Sequence, residues 1–80
     1  MAIGIYKITN IKNNKCYIGQ SRDIERRWKY HKTNFQNPTY DTYLYRAIRK
    51  YGLKNFSFEV LELCKEQELN DKEMFWIKKF

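Results

Sequence analysis

The sequence predicts an α+β domain in which three helices flank a small, largely antiparallel three-stranded sheet. Two short β-forming runs near the amino terminus are separated by a turn-like segment, and a third run at residues 55–63 alternates apolar and polar side chains. The remaining segments repeat apolar residues at helical spacing. The predicted order is β-β-α-α-β-α, and residues 1–80 are expected to form a single domain.

The first two strands are predicted at residues 3–9 and 15–20. Asn13 and Asn14 favour a two-residue hairpin turn between them, because asparagine tolerates the left-handed backbone conformation better than most residues. In such a hairpin the numbers of directly paired residues sum to an odd value, and a four-residue loop gives the same parity. The register of the two strands is therefore predicted whichever loop forms.

This parity places two tyrosines on one face of the hairpin. Tyr6 and Tyr17 share a face because side chains alternate with a period of two. Gly4 and Gly19 lie on the same face, so we expect open surface beside each ring. The phenols are therefore candidates for chemistry as well as for packing.

The first helix is predicted over residues 21–35, with Asp23 or Ser21 as its N-cap. Its buried face carries Ile24, Trp28, His31 and Phe35. Arg27 lies about 60° to one side of Ile24, and Arg27 and His31 are neighbours on the helix surface.

A loop at residues 34–40 with the only proline leads to a second helix at residues 40–52. Gly52 is its expected C-cap. The expected inward residues are Leu44, Ala47, Ile48 and Tyr51. The tyrosines at positions 40, 43, 45 and 51 are interpreted as loop or core aromatics. In the third strand, Glu59 and Glu62 point outward near a change of register.

The final helix, predicted at residues 65–80, carries an acid inside its apolar stripe. The stripe consists of Leu69, Trp76, Ile77 and Phe80, and Glu73 lies within it. An unpaired buried carboxylate costs several kcal/mol, which is a large part of a small domain's stability. Glu73 therefore needs a cationic neighbour, a bound metal ion or a place in an exposed cleft. A salt bridge to Arg27 or a lysine is the structural alternative to a functional role.

The charge is strongly basic and unevenly distributed. The net charge is +7, and residues 1–58 carry 12 basic against 3 acidic residues while residues 59–80 carry 4 against 6. A basic body indicates a polyanionic partner, most commonly nucleic acid. The alternative is a lysine-rich surface that only aids solubility.

Other function classes are excluded by composition. No apolar run approaches the roughly 20 residues of a membrane span, and no signal-peptide pattern opens the chain, which predicts a soluble cytoplasmic protein. Cys16 and Cys64 with a single histidine cannot build a four-ligand zinc site. Both cysteines are expected to be reduced packing residues.

Five short motifs stand in order along the chain. They are Gly-Ile-Tyr at residues 4–6, Tyr-Ile-Gly at 17–19, Arg-x-x-x-His at 27–31, Lys-Tyr-Gly at 50–52 followed by FSFEVL at 56–61, and Glu73 followed by Met-Phe-Trp-Ile. Together, at these distances, they resemble the GIY-YIG nuclease domain family from about residue 3 onward. The chain looks most like the nuclease modules of phage or intron-encoded homing endonucleases.

The resemblance implies metal-dependent cleavage of DNA phosphodiester bonds. Glu73 would be the sole protein ligand of one Mg²⁺ or Mn²⁺ ion, and Arg27 would clamp the scissile phosphate. Tyr6 would take or relay the proton of the attacking water with His31 assisting, and Tyr17 would orient the water or a phosphate oxygen.

Two further expectations concern charge around this site. A phenol with an ordinary pKa of about 10 is a poor base at neutral pH, so Arg27 and Lys15 are expected to lower the pKa of Tyr6. DNA phosphates would be met by basic side chains of the hairpin and the helices. These are Lys15, Arg22, Arg26, Lys29, Lys32 and the helix at residues 46–50.

One departure from the family affects the expected activity. The family usually has an asparagine after the final helix, and this chain stops at Phe80. The expectation is a module excised from, or truncated relative to, a longer protein with a fused or separate DNA-recognition domain, and with low activity in isolation.

Two other readings remain open, and one spatial requirement decides between them and the nuclease. The fold could be a non-catalytic nucleic-acid-binding module, or the motif residues could be packing groups. For the nuclease, the two phenols, Arg27, His31 and Glu73 must line one hollow. Glu73 on the far side of the sheet from the rings would leave no workable hydrolytic centre, and the nuclease interpretation would have to be dropped.

Overall fold

The computed structural model describes residues 2–37, 39 and 42–80, and the predicted order of elements is confirmed. The elements are β1 (Gly4–Asn10), β2 (Cys16–Ser21), α1 (Ile24–Asn34), α2 (Tyr43–Tyr51), β3 (Phe56–Leu63) and α3 (Leu69–Lys79), with short 3₁₀ turns at Leu53–Asn55 and Glu66–Glu68. Within those described ranges, every helix is too short or too polar to cross a bilayer. Both cysteines are free thiols, as expected.

The sheet is fully antiparallel, with strand order β2-β1-β3. Strand β1 is central, so β2 is an edge strand with one side open. Tyr6 pairs with Gly19 and Ile8 pairs with Tyr17. The predicted parity is therefore confirmed, and Tyr6 and Tyr17 share a face.

The hairpin loop has four residues rather than two. Asn10 N donates a hydrogen bond to the carbonyl of Lys15 at 2.8 Å, which encloses residues 11–14 in the loop. The two-residue turn is therefore wrong, although Asn14 does adopt the left-handed conformation, with φ of 62°. The longer loop arises because the side chain of Asn10 accepts a hydrogen bond from Lys12 N and so begins the turn before the predicted position.

The predicted change of register in β3 is confirmed. Ile5 of β1 pairs with Glu62, whereas the next residue, Tyr6, pairs with Val60. Leu61 is thus the extra residue of a β-bulge. Glu59 and Glu62 point to the face of the sheet opposite Tyr6, because their partners Lys7 and Ile5 alternate with Tyr6.

Helices α1 and α2 cover the Tyr6 face and form the main core with it. Asp23 is the N-cap of α1, since its side chain accepts a hydrogen bond from Arg26 N. Thr42 is the N-cap of helix α2, and Gly52 is its C-cap as predicted. Pro38 and Tyr40, from the predicted loop and helix start, lie outside the described residues. The core consists of Tyr6, Ile8, Ile24, Tyr45, Ile48 and Phe56. The predicted inward residues that pack around it are Trp28, Phe35, Leu44, Ala47 and Tyr51.

Helix α3 packs on the opposite face of the sheet. Trp76 Nε1 donates to Glu62 Oε1 at 3.0 Å. Only the amino-terminal part of the predicted apolar stripe is buried, because Ile77 and Phe80 are 52% and 55% exposed. The Phe80 ring instead stacks on Trp76 and lies under the ammonium group of Lys7.

Candidate active site

The phenol ring of Tyr6 lies directly across Gly19 on the edge strand β2. A Cβ atom at Gly19 would be 2.6 Å from both Cζ and Oη of Tyr6, which is closer than real contacts allow. A Cβ at Gly4 would collide with the backbone of Glu62 and Leu63. The expected open surface beside each ring is therefore wrong. The glycines are required because other groups approach them closely.

The hydroxyl of Tyr6 belongs to a hydrogen-bonded chain of three side chains. Tyr6 Oη lies 3.2 Å from His31 Nε2, and His31 Nδ1 lies 2.9 Å from the hydroxyl of Tyr45. In a neutral imidazole one ring nitrogen donates and the other accepts. His31 can therefore accept a hydrogen bond from one of the two hydroxyls while it donates to the other, which links Tyr6 to Tyr45.

Tyr45 was not predicted as a site residue. It lies three residues before the buried Ile48 on α2, so helical spacing indicates only that it faces the core. Its contact with His31 joins α2 to α1 across the core, and no local pattern in the sequence encodes that contact.

The imidazole of His31 is neutral at ordinary pH. Burial, and then the positive charge of Arg27, lower the pKa of His31 from 6.5 to about 4. A neutral ring can accept a proton on one nitrogen, so His31 is able to act as the proton acceptor for Tyr6.

The pH dependence of stability tests this placement of His31. Because the unfolded chain binds a proton at His31 near pH 6.5 and the folded domain only near pH 4, folding should lose stability as the pH falls through this window. A change of about 2.5 pKa units corresponds to about 3.4 kcal/mol, and because His31 is only partly buried and solvent screens its charge, we expect a loss of about 1–3 kcal/mol.

Urea unfolding at pH 7, 5.5 and 4 measures this loss. His31→Gln should remove most of the change between pH 7 and 5.5, where carboxylates titrate little. An equal pH dependence in the wild type and His31→Gln would contradict the placement of His31.

The pKa of Tyr6 is raised, contrary to expectation. Burial of the ring is the main cause, Arg27 opposes it, and the negative charge of Glu73 and the Tyr45 hydroxyl add to the rise. Lys15 lies instead beside Tyr17. Burial raises the pKa of Tyr17, and the positive charge of Lys15 only partly opposes that rise. The expectation that nearby positive charge lowers the pKa of Tyr6 is therefore wrong, although Arg27 does act in that direction, and the phenol is protonated at neutral pH.

Glu73 reaches the same edge strand from the other side of the sheet. Gln20 Nε2 donates to Glu73 Oε1 at 3.0 Å and to Asn70 Oδ1 at 2.9 Å. Gln20 was not predicted as a site residue. Among the ion pairs of the described residues none involves Glu73, so the alternative of a salt bridge to Arg27 or a lysine is not what holds this acid.

The predicted site residues do not line one hollow on one face of the sheet. Glu73 instead approaches the edge strand β2 from the face opposite Tyr6. Gln20 pairs with Ile5 and so points to the α3 face, whereas Gly19 lies under Tyr6 on the opposite face. The acid therefore does come from the far side of the sheet, the placement expected to rule out a hydrolytic centre. That criterion does not allow for an edge strand, because Gln20, the amide partner of Glu73, is the residue next to Gly19. The negative charge of Glu73 contributes to raising the pKa of Tyr6, so the two groups share one electrostatic environment.

Arg27 lies beside this edge on an open groove that we call the arginine groove. The groove has a volume of about 560 Å³. It is lined by Gln20, Ser21, Arg22, Asp23, Arg26, Arg27, Tyr30 and Leu69. The positive charge of Arg27 acts on both Tyr6 and His31. Arg22 forms an ion pair with Glu66 at the rim.

The predicted DNA contacts lie at two grooves and along one side of α1. Arg22 and Arg26 line the arginine groove. The exposed Lys29 lies between Arg26 and Lys32, about 60° from each at about 100° per residue, and Lys32 Nζ lies 4.8 Å from the ring centroid of Phe58. Lys15 lies at a second groove, between the hairpin and α2.

Tyr17 lies at this second groove and not beside Arg27. Its ring centroid is 5.9 Å from that of Tyr43. Burial and the neighbouring Tyr43 raise the pKa of Tyr17. The two motif tyrosines thus share a sheet face but have different neighbours.

The family model and the most similar relatives found by comparison with known proteins indicate the same family. Residues 2–80 match the family model described as the GIY-YIG catalytic domain. The chain is 38% identical to intron-associated endonuclease 1 of Enterobacteria phage T4, over 98% of this chain and 33% of the relative. It is 32% identical to a probable intron-encoded endonuclease 1 of Neurospora crassa, over 96% of this chain and 27% of the relative.

The solved structures agree with these relatives. A mutant of the catalytic domain of intron endonuclease I-TevI superposes with a TM-score of 0.87 at 34% identity, covering 99% of this chain and 84% of that one. The chain spans about a third or less of the length of the curated relatives. The fold, the motifs and the match over residues 2–80 establish that the chain belongs to the GIY-YIG catalytic domain family.

Proposed function

We propose that this domain is an endonuclease module that hydrolyses DNA phosphodiester bonds with one Mg²⁺ or Mn²⁺ ion bound at Glu73. The observation that carries the proposal is the meeting of two side-chain systems at consecutive residues of β2. The Tyr6–His31–Tyr45 chain lies over Gly19, and Gln20 holds Glu73. The relatives' endonuclease names support the same activity.

The oxygen donors at Glu73 fit a hard cation. The residues that the structure describes contain no group of three or more His, Cys, Asp or Glu side chains that could hold a metal. A single carboxylate suits Mg²⁺ or Mn²⁺, which keep several waters and take a further ligand from phosphate. Such an ion would supply charge stabilisation at the phosphate and the leaving oxygen.

The proton relay is assigned to Tyr6 and His31. Tyr6 Oη receives the proton from the attacking water as it passes its own proton to His31 Nε2 at 3.2 Å. His31 Nδ1 is then a donor to the hydroxyl of Tyr45, which fixes the ring. A protonated Tyr6 and a neutral His31 are the forms that such a relay needs before reaction.

The remaining roles follow from charge and position. Arg27 lies at the edge of the arginine groove, where its guanidinium can bind the scissile phosphate in a bidentate manner. Arg26 extends that positive surface along the groove. Tyr17 approaches the DNA from the second groove and orients a phosphate oxygen there.

Plasmid nicking tests the proposal. We expect the purified domain to convert supercoiled plasmid to the open-circular form with Mg²⁺ or Mn²⁺, and to lose that activity with excess EDTA. Cleavage that survives chelation would contradict the metal role. Salt-dependent DNA binding without turnover in either metal would favour the alternative, a non-catalytic nucleic-acid-binding module.

Gly19→Ala tests the position of the Tyr6 phenol. The added methyl group must displace the ring and break its contact with His31, because the Cβ would lie 2.6 Å from Tyr6 Oη. We expect nicking to fall at least tenfold and unfolding to become easier by about 1–3 kcal/mol, the usual cost of overpacking.

The matched control is Ile18→Val on the opposite face of the same strand. It should cost about 1 kcal/mol of stability and leave the nicking rate unchanged. Full activity in Gly19→Ala would mean that the packing of Tyr6 on Gly19 does not matter for the reaction.

A further inference from the structure

The second groove is used by the proposed reaction only through Tyr17. It lies between the β1–β2 hairpin and α2 and has a volume of about 330 Å³. We call it the tyrosine groove. Its lining residues are Asn13, Lys15, Tyr17, Tyr43, Arg46, Ala47, Lys50 and Tyr51, and none of these described residues is acidic.

One stripe of α2 forms a wall of the tyrosine groove. Tyr43, Arg46, Ala47 and Lys50 occupy positions i, i+3, i+4 and i+7, so they lie along one side of the helix. The small side chain of Ala47 leaves space between the aromatic and cationic groups. From the hairpin, Lys15 Nζ donates to the hydroxyl of Tyr43 at 3.5 Å.

The ring of Tyr43 is held in place yet open to solvent. It is 61% exposed, although it contacts the ring of Tyr17 at a tilt of 48°. Aromatic rings beside basic side chains are the arrangement that binds single-stranded nucleic acid, because each unpaired base offers a face for stacking. A closed duplex presents its phosphates to such a groove but no free base face.

We propose that the tyrosine groove binds a single-stranded segment of DNA, with one unpaired base stacked on Tyr43 and the flanking phosphates on Lys15 and Lys50. The inference rests on the proposed function for the choice of DNA as the ligand. Tyr17 lines this groove and shares the sheet face of Tyr6, so the groove and the Tyr6–His31 pair lie on the same face of the sheet. A base held in the groove would therefore be unpaired on the face that carries the Tyr6 hydroxyl.

Binding in the presence of EDTA tests the groove without any cleavage. The probes are a short oligonucleotide with a single 2-aminopurine base and the duplex of the same sequence, followed by fluorescence anisotropy. We expect the wild type to bind the single strand more tightly than the duplex and to quench 2-aminopurine. Tyr43→Ala should weaken single-strand binding by about tenfold, remove the quenching and change duplex binding by less than twofold.

Two variants control this experiment. Tyr43→Phe keeps the ring and should retain single-strand affinity within about threefold. Phe75→Ala removes another exposed ring, on α3, and should change neither affinity. Wild-type binding without a single-strand preference, unchanged affinity in Tyr43→Ala, or an equal loss for both DNA forms would overturn the inference. A failed nicking assay with this binding pattern intact would overturn the proposed function alone.

Discussion

Glu73→Gln is expected to lower metal-supported nicking by about a thousandfold while the domain stays folded. Glutamine keeps the shape of the side chain and can still accept the hydrogen bond from Gln20. It removes the negative charge that would hold the cation. Charge stabilisation by a metal amounts to several kcal/mol, and about 4 kcal/mol corresponds to a thousandfold in rate.

Asp71→Asn is the matched control for this variant. It removes one negative charge from the same helix two residues away, at an exposed position outside the site. Its nicking rate should remain within about twofold of the wild type, with an unchanged requirement for Mg²⁺ or Mn²⁺. An equal loss in both variants would indicate a general charge effect, and retention of activity in Glu73→Gln would contradict the metal assignment.

Tyr6→Phe is expected to lower nicking by about a hundredfold to ten-thousandfold, the usual contribution of a positioned proton donor or acceptor. The ring keeps its edge-to-face contact with Trp28, with the ring centroids 6.1 Å apart, and its place over Gly19, so the fold should be retained. Only the hydroxyl that faces His31 is lost. Nicking rates and thermal unfolding, measured on the same protein, separate the two effects.

Tyr45→Phe provides the comparison for that result. It removes the outer partner of His31 but leaves the contact between Tyr6 and His31. We therefore expect a smaller loss of rate than in Tyr6→Phe, together with a shifted pH dependence because the ring loses a hydrogen bond. If Tyr6→Phe kept more than half of the wild-type nicking rate, the Tyr6 ring would serve packing and its hydroxyl would not take part in the reaction.

The sheet could be predicted because its pattern is local. Alternation along each strand, with either loop length, places Tyr6 and Tyr17 on one face, and the structure agrees. The start of the turn could not be predicted, because it depends on the hydrogen bonds of Asn10. The close approach of Tyr6 to Gly19 was also missed, since alternation gives the face of a residue but not the direction in which a ring leans.

The inward acid could be predicted, but its side of the sheet could not. Helical spacing places Glu73 near Leu69 without indicating which face of a three-stranded sheet α3 covers. Gln20 and Tyr45 were missed for a related reason. Gln20 is 53 residues from its hydrogen-bond partner Glu73, and Tyr45 is 14 residues from His31, so only the fold brings these pairs together.

The exposed end of α3 marks a further limit of the pattern. Ile77 and Phe80 fit an apolar stripe, yet both are more than half exposed. Periodicity predicts which residues lie together on a helix. It does not predict whether a narrow sheet extends far enough to cover them all.

The position of the cation at the β2 edge is tested most directly by NMR with Mn²⁺. The paramagnetic ion would be titrated into ¹⁵N-labelled domain in the presence of a short phosphorothioate DNA that resists cleavage. We expect selective broadening of the amide signals of Gly19, Gln20 and Glu73, with Tyr6 affected next, and loss of this pattern in Glu73→Gln. Broadening centred instead on Glu59 and Glu62, with Gly19 and Gln20 unaffected, would contradict this position of the cation.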